Sequence, residues 1–477
     1  MSTHKPLTTR LVLPALAAAS LFCSCASEQK SNPGSGADGL GQDGGGDTRA
    51  PKSASADAAG DQGQAVEPAA DGTAGNQGSG EEASVAGDGA GHTAREAGSP
   101  LALIKQRLNS EFYSEGINYG DLNRDGVQDI IAGPYWYPGP SYQQKLAFRA
   151  PRPTPFDISG DSDCYSIFVY DFNQDGWQDI LSLQMLSGSQ AVWYENPKGA
   201  GGYWTEHVVF SPVDDESPSF TDMDGDGKPE LVTVSKGYGG WAEPDWANPS
   251  AAWTFHAITS NGGWGSFTHG LGTSDVNGDG RPDFILSEGW WEQSAVPSTV
   301  PWLRHPAAFW AQEDPSESYG GAQMFAYDVD GDGDNDIVTS LQAHGWGVAW
   351  FENTGTGFVK HMIVDNQTTI AQYGVAFSQP HALALADLDG DGVKDVITGK
   401  RKGAHGYGLA ASELNAPAVL YWFRLIRQPG QAPSFEPHLL DSEAGVGTQL
   451  VVADVNGDGL LDVLTAARAG AFVFWGK

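Results

Sequence analysis

Cysteine is nearly missing from this chain. Of three in 477 residues, Cys23 and Cys25 lie near the start and only Cys164 beyond them. The bulk of the chain therefore has no intrachain disulfide and must take its rigidity from packing or bound ions. Basic residues are short as well: 26 Lys+Arg stand against 60 Asp+Glu, a formal charge of -34. That excludes the basic surface a nucleic-acid partner needs. Long apolar runs are also scarce, and "LVLPALAAASLF" (Leu11 to Phe22) is too short for a comfortable membrane span.

That short run reads instead as the core of an export signal, with Lys5 and Arg10 before it and "CSCAS" after it. Residues 1–25 resemble a bacterial lipoprotein signal, with Cys25 as the lipidated residue, Cys23 as the runner-up and an ordinary cleaved signal as the alternative. The expected location is the bacterial cell envelope or the extracellular space, with membrane attachment only through that lipid. Residues 26–98 are Gly, Ala, Ser and Asp with hardly a large apolar side chain. They cannot bury enough surface to offset their ordering entropy and read as a disordered tether.

Beyond residue 100 the pattern D-x-[DN]-x-D-G-x-x-[DE] recurs seven times, at spacings of 50, 51, 53, 53, 59 and 67 residues. Its first, third, fifth and ninth positions are Asp121, Asn123, Asp125 and Asp129, then Asp171, Asn173, Asp175 and Asp179. Asp222, Asp224, Asp226 and Glu230 follow, then Asp275, Asn277, Asp279 and Asp283. The last three loops supply Asp328, Asp330, Asp332 and Asp336; Asp387, Asp389, Asp391 and Asp395; and Asp454, Asn456, Asp458 and Asp462.

Apolar stretches enter and leave each loop ("MFAY" and "DIVTS", for example) and read as strands. A third strand follows in several units ("AVWYEN", "VAWFEN"). A fourth aligns through His207, His256, His305, His361 and His438, which the repeat makes structural. Four strands per unit, seven times, predict an all-β fold over residues 101–477: a seven-bladed β-propeller. The last unit has three strands, and the spare piece "LALIKQRL" (Leu101 to Leu108) is expected to complete it and close the ring.

All-oxygen loops with glycine at the sharp turn suit a hard cation, calcium rather than magnesium, which also relieves carboxylate repulsion. An EF-hand would need Glu at the twelfth position and flanking helices. Ala132, Ser182, Thr233, Leu286, Thr339, Thr398 and Thr465 stand there instead, within strand-like runs. On these motifs the chain resembles the FG-GAP or VCBS repeat family. The resemblance implies up to seven Ca²⁺, each between the first and second strands of a blade.

Four histidines lie outside the fourth-strand register. His269 and His381 sit six residues before their loops, where other units place Glu115, Tyr165, Glu216, Ala322 and Thr448. If that strand is innermost, these seven residues ring the mouth of the central channel. His344 and His405 lie in matching loops, "AHGWG" and "AHGYG", that return to the same face, opposite the calcium loops. Trp291, Trp346 and Tyr407 join them as a candidate ligand rim. A second divalent metal, zinc among the candidates, is expected on His269, His344, His381 and His405, with Glu115, Glu216 and Lys400 as acid–base candidates. Stretches such as "HGLGTSDVNGDGRPDFILSEGWWE" and "SQPHALALADLDGDGVKDVITGKR" are similar to the propeller domain of fungal aldos-2-ulose dehydratase and its bacterial propeller-only relatives. Three readings stay open: first a binding protein for a carbohydrate or a cell-envelope protein, second a metal-dependent lyase or dehydratase acting on a keto-sugar, and third a purely structural adhesion module.

Overall fold

A computed structural model describes residues 101–296, 300–310, 320–403 and 409–477. The export signal, the tether and Cys25 lie outside the described residues, as do His405 and Tyr407. Seven four-stranded antiparallel sheets account for all the strands described. The first runs Ile117–Gly120, Asp129–Ala132, Tyr135–Tyr137 and Leu146–Ala147, and the next five repeat this order. Two short helices, Thr368–Tyr373 and Ala411–Leu414, interrupt the pattern, and neither is long enough to cross a membrane.

Burial explains the order of strands within a blade. Second strands such as Asp179–Gln184 and Glu230–Ser235 are buried along their whole length, because neighbouring blades cover both their faces. Fourth strands such as Thr205–Phe210 are largely exposed. Side chains of successive blades share one apolar layer; Phe168 and Leu181 pack with Phe220 and Leu231 of the next sheet.

Ring closure is covalently economical. Leu103–Asn109 pairs antiparallel with Gly470–Gly476, so one sheet contains both ends of the folded chain and no blade is left short of a strand. The expected closing strand is therefore present, one or two residues displaced at its ends.

First strands touch the first strands of adjacent blades and line the channel, but they do not pair with one another. Their buried backbone groups need partners, and glutamines supply them. Gln449 Oε1 accepts the amides of Ile117 at 3.1 Å and Ile167 at 3.0 Å, while its Nε2 donates to Ile167 O at 3.0 Å. Gln323 accepts the Leu383 amide at 3.0 Å and donates to Thr448 O at 2.9 Å.

Candidate metal centres at the loops and the channel mouth

Each Asp-rich loop is held by the same internal bonds. The sixth-position glycines, Gly126 to Gly459, have φ between 82° and 100°, where a side chain would be strained. The ninth-position carboxylate ties the blade together. In the first loop Asp129 accepts the Leu122 amide at 3.0 Å and the Gly139 amide, from beyond the third strand, also at 3.0 Å. Burial is the main force on this acid in all seven loops, aided by neighbouring loop carboxylates and opposed by the backbone bonds. It pushes Asp129, Asp336 and Asp462 up to about 6, Asp283 to about 7, Asp179 and Asp395 to about 8, and Glu230 to about 9.

Carboxylate oxygens converge in three loops. Asp222, Asp224, Asp226 and Glu230 form one group, Asp328, Asp330 and Asp332 a second, and Asp387, Asp389 and Asp395 a third, each within 4.8 Å. Glu230 and Asp395, buried and pressed toward protonation beside other acids, gain from a cation among them, and the all-oxygen donor set fits a hard divalent ion.

Glu216, His269 and His381 each precede a first strand, Ser219–Thr221, Leu271–Ser274 and Leu383–Ala386 respectively. His344 arrives from the turn between Asp336–Ser340 and Val348–Asn353. Backbone bonds fix these segments: Glu216 N donates to Thr268 O at 2.9 Å and Gln379 N to Gly345 O at 2.6 Å. The four side chains meet, with one donor atom from each within 4.8 Å of the others. His269 Nε2 lies 3.0 Å from His344 Nε2 and 3.3 Å from His381 Nε2. Glu216 Oε2 stands 3.2 Å from His381 Nε2 and 3.6 Å from His269 Nε2.

These separations have a simple meaning. Donors bonded to one ion at roughly 2.0–2.1 Å stand about 3.3 Å apart in a tetrahedron. All four residues are at most 4% exposed, and Glu216 Oε2 accepts no well-aligned hydrogen bond despite its burial. His344 and His381 are held well below the usual imidazole range, chiefly by burial and further by neighbouring imidazoles and Arg401. Neutral imidazoles beside a carboxylate are a donor set for a borderline transition-metal ion.

The other sequence candidates are placed differently. Glu115 shares the register of Glu216 but does not join the histidines. Its Oε1 lies 2.6 Å from Arg401 Nε and 3.2 Å from Arg468 Nη1, and both arginines also reach Asp161 Oδ1, at 2.9 and 3.0 Å. Lys400 is buried with its Nζ 2.6 Å from Ser378 Oγ and 3.0 Å from Glu413 Oε1. Neither is a free acid or base. Trp291 leaves the proposed rim because its ring is 4% exposed, packed on Phe284 and Trp264 between two blades. Trp346 is half-buried beside Gly345 and Gly347.

Sequence reasoning missed Arg468 and Asp161. Arg468 lies between Asp462–Ala467 and Gly470–Gly476, the turn that carries His344 in another blade, so its blade position was the available signal. The fourth-strand histidines are structural: His207, His305 and His361 stack on Trp193, Trp290 and Trp350 with centroids 4.0–4.6 Å apart.

With this geometry in hand, a family model described as FG-GAP-like repeat matches residues 171–233 and 328–398. The chain carries FG-GAP-like repeats. No curated protein sequence matches it. Among solved structures, an Agrocybe aegerita lectin specific for non-reducing terminal N-acetylglucosamine is similar at 16% identity and TM-score 0.42, covering 80% of this chain and 87% of the lectin. The exotype rhamnogalacturonan lyase YesX is similar at 13% identity and TM-score 0.40, covering 82% of this chain and 75% of the lyase. BBS1N, solved in complex with ARL6DN, gives 12% identity and TM-score 0.40, over 78% of this chain and 95% of BBS1N.

Proposed function

We propose that this FG-GAP-repeat propeller is a metal-dependent lyase or dehydratase acting on a keto-sugar. A zinc-class ion would be held by Glu216, His269, His344 and His381, and calcium in the Asp-rich loops would stiffen the blades. The observation that carries this reading is the convergence of three buried imidazoles and one carboxylate at the channel mouth. Such an ion would polarise a carbonyl only where one of the four donors yields its place to the substrate. The chain's own part is to exclude water by burying the donors and to keep the imidazoles neutral. The Arg401–Arg468 pair holds Glu115 and Asp161 apart from the four donors. Glu115 and Lys400, locked in ion pairs, move no proton in this reading. Export through a lipidated Cys25 is part of the same proposal.

A second reading is favoured by the closure of the site. Four protein donors at most 4% exposed resemble a structural site more than an open catalytic one. The propeller would then be a binding module for a carbohydrate or cell-envelope protein, with the ion pinning its blades.

Metal analysis after calcium chelation, followed by a dehydration assay on a 2-keto-sugar, separates the two. Retained zinc that is lost in His269→Ala and His381→Ala, together with enone absorbance made only by the zinc-loaded chain, supports the lyase. Retained zinc without turnover leaves the binding module, and absence of any retained transition metal overturns both uses of the site.

A further inference from the structure

In four blades the third strand carries a Trp-x-Glu step: Trp193–Glu195, Trp241–Glu243, Trp290–Glu292 and Trp350–Glu352. The glutamate of each reaches the imidazole that stacks on its tryptophan, at 2.6–3.3 Å. This register position also overlooks the Asp-rich loop. In the second blade Asn173 Nδ2, at the third loop position, donates to Glu195 Oε1 at 3.2 Å.

The sixth blade breaks the rule. Trp422 still stacks on His438, 4.5 Å between centroids, but Arg424 stands where the glutamate should be, opposite Glu436 across the strand pair. A guanidinium has no acceptor to offer the imidazole N–H that the glutamates take, and this one lies against the loop instead. Its Nε lies 2.7 Å from Asp389 Oδ2 and its Nη2 2.9 Å from Asp391 Oδ2. The other oxygens of these acids are also engaged: Asp389 Oδ1 accepts the Asp391 amide at 3.3 Å and Asp391 Oδ1 the Val393 amide at 3.0 Å.

The third and fifth loops differ at the same two positions. Asp224, Asp226, Asp330 and Asp332 each accept a backbone amide on one oxygen. Among the described residues no Lys or Arg forms an ion pair with any of them.

We propose that the sixth loop is neutralised from within by Arg424 and takes no calcium ion under conditions in which the third and fifth loops fill. A divalent ion at Asp387, Asp389 and Asp395 would have to displace the guanidinium or sit beside it, and like charges at that range repel. This inference rests on the reading of the Asp-rich loops as calcium sites. It makes the propeller asymmetric in its ions: Arg424 spans two acids of the sixth loop, whereas Lys198 and Arg281 each reach a single acid, Asp175 and Asp279, of the second and fourth.

Counting bound calcium by native mass spectrometry and calorimetry on the whole chain tests it. Arg424→Glu, which installs the residue found in four other blades, and Arg424→Gln should each bind one ion more than the parent. Asp389→Asn with Asp391→Asn in the parent should leave the count unchanged, whereas Asp328→Asn with Asp330→Asn should lower it by one. The proposal is overturned if the sixth-loop double variant loses an ion, or if folded Arg424 variants gain none. If no loop binds calcium in any variant, the underlying loop reading fails instead.

Discussion

His269 and His344 stand 75 residues apart in sequence, yet their Nε2 atoms are 3.0 Å apart in the fold. One comes from the start of a first strand and the other from the turn after a second strand, so they belong to adjacent blades. Glu216 and His381 extend the contact to the blades on either side. Four blades are thereby joined through one point at the channel mouth.

Removing a donor should abolish the stability the ion contributes, beyond the cost of the cavity a buried imidazole leaves. An ion present at a thousand times its dissociation constant contributes about 4 kcal/mol to folding. His381→Ala should lose most of the difference between zinc-loaded and chelated protein in a thermal melt. A variant whose melting temperature still rises on zinc addition as the parent's does would show that the ion sits elsewhere.

The ninth-position acids give a pH dependence of unusual sign. Their folded pKa values are raised above the unfolded carboxylate range near ~4. Stability of the calcium-free protein is therefore fully present below that range and falls as pH rises through about 6, for Asp129, to about 9, for Glu230. Urea unfolding in chelator should show a less stable protein at pH 8 than at pH 5. Saturating calcium should flatten or reverse the trend.

Arg401 should be costly to remove. It is buried against Glu115, which is itself fully buried. Deleting one partner of a buried pair leaves an uncompensated charge at a cost of about 3–5 kcal/mol. Arg401→Met should lower the urea midpoint markedly, and Arg401→Met with Glu115→Leu should recover part of the loss. Equal midpoints for the single variant and the parent would remove the pair from the list of stabilising contacts.

Trp291→Ala should act on folding and not on ligand capture. A large aromatic packed between blades costs about 3–5 kcal/mol to truncate. The expected outcome is a lowered melting temperature with metal content unchanged in the folded fraction. A normal melt with lost carbohydrate retention would put the ring back on the surface.

Much of the fold was legible because the repeat states it. Seven loops at near-regular spacing and a spare strand at the start lead directly to seven blades and a shared last sheet. His269, His381 and Glu216 were found by register alone, since equal distance from a loop means equal height in the channel. Partner choice was not legible. Glu115 and Glu216 occupy the same register, and only the long side chains of Arg401 and Arg468 draw Glu115 away; Arg468 is 353 residues distant from it. Trp291 was misplaced because alternation along a strand marks two faces, and in a blade both faces are core.

The pairing of Leu103 with Gly476 makes this ring a belt with a single buckle. Everywhere else a blade is one continuous piece of backbone, while here two separate lengths of chain are held by backbone hydrogen bonds and by side chains such as Trp475, whose Nε1 donates to Gln106 Oε1 at 2.8 Å. Mechanical or thermal opening should start at that seam. A chain rejoined across it and recut in another turn would carry its weak point to the new cut.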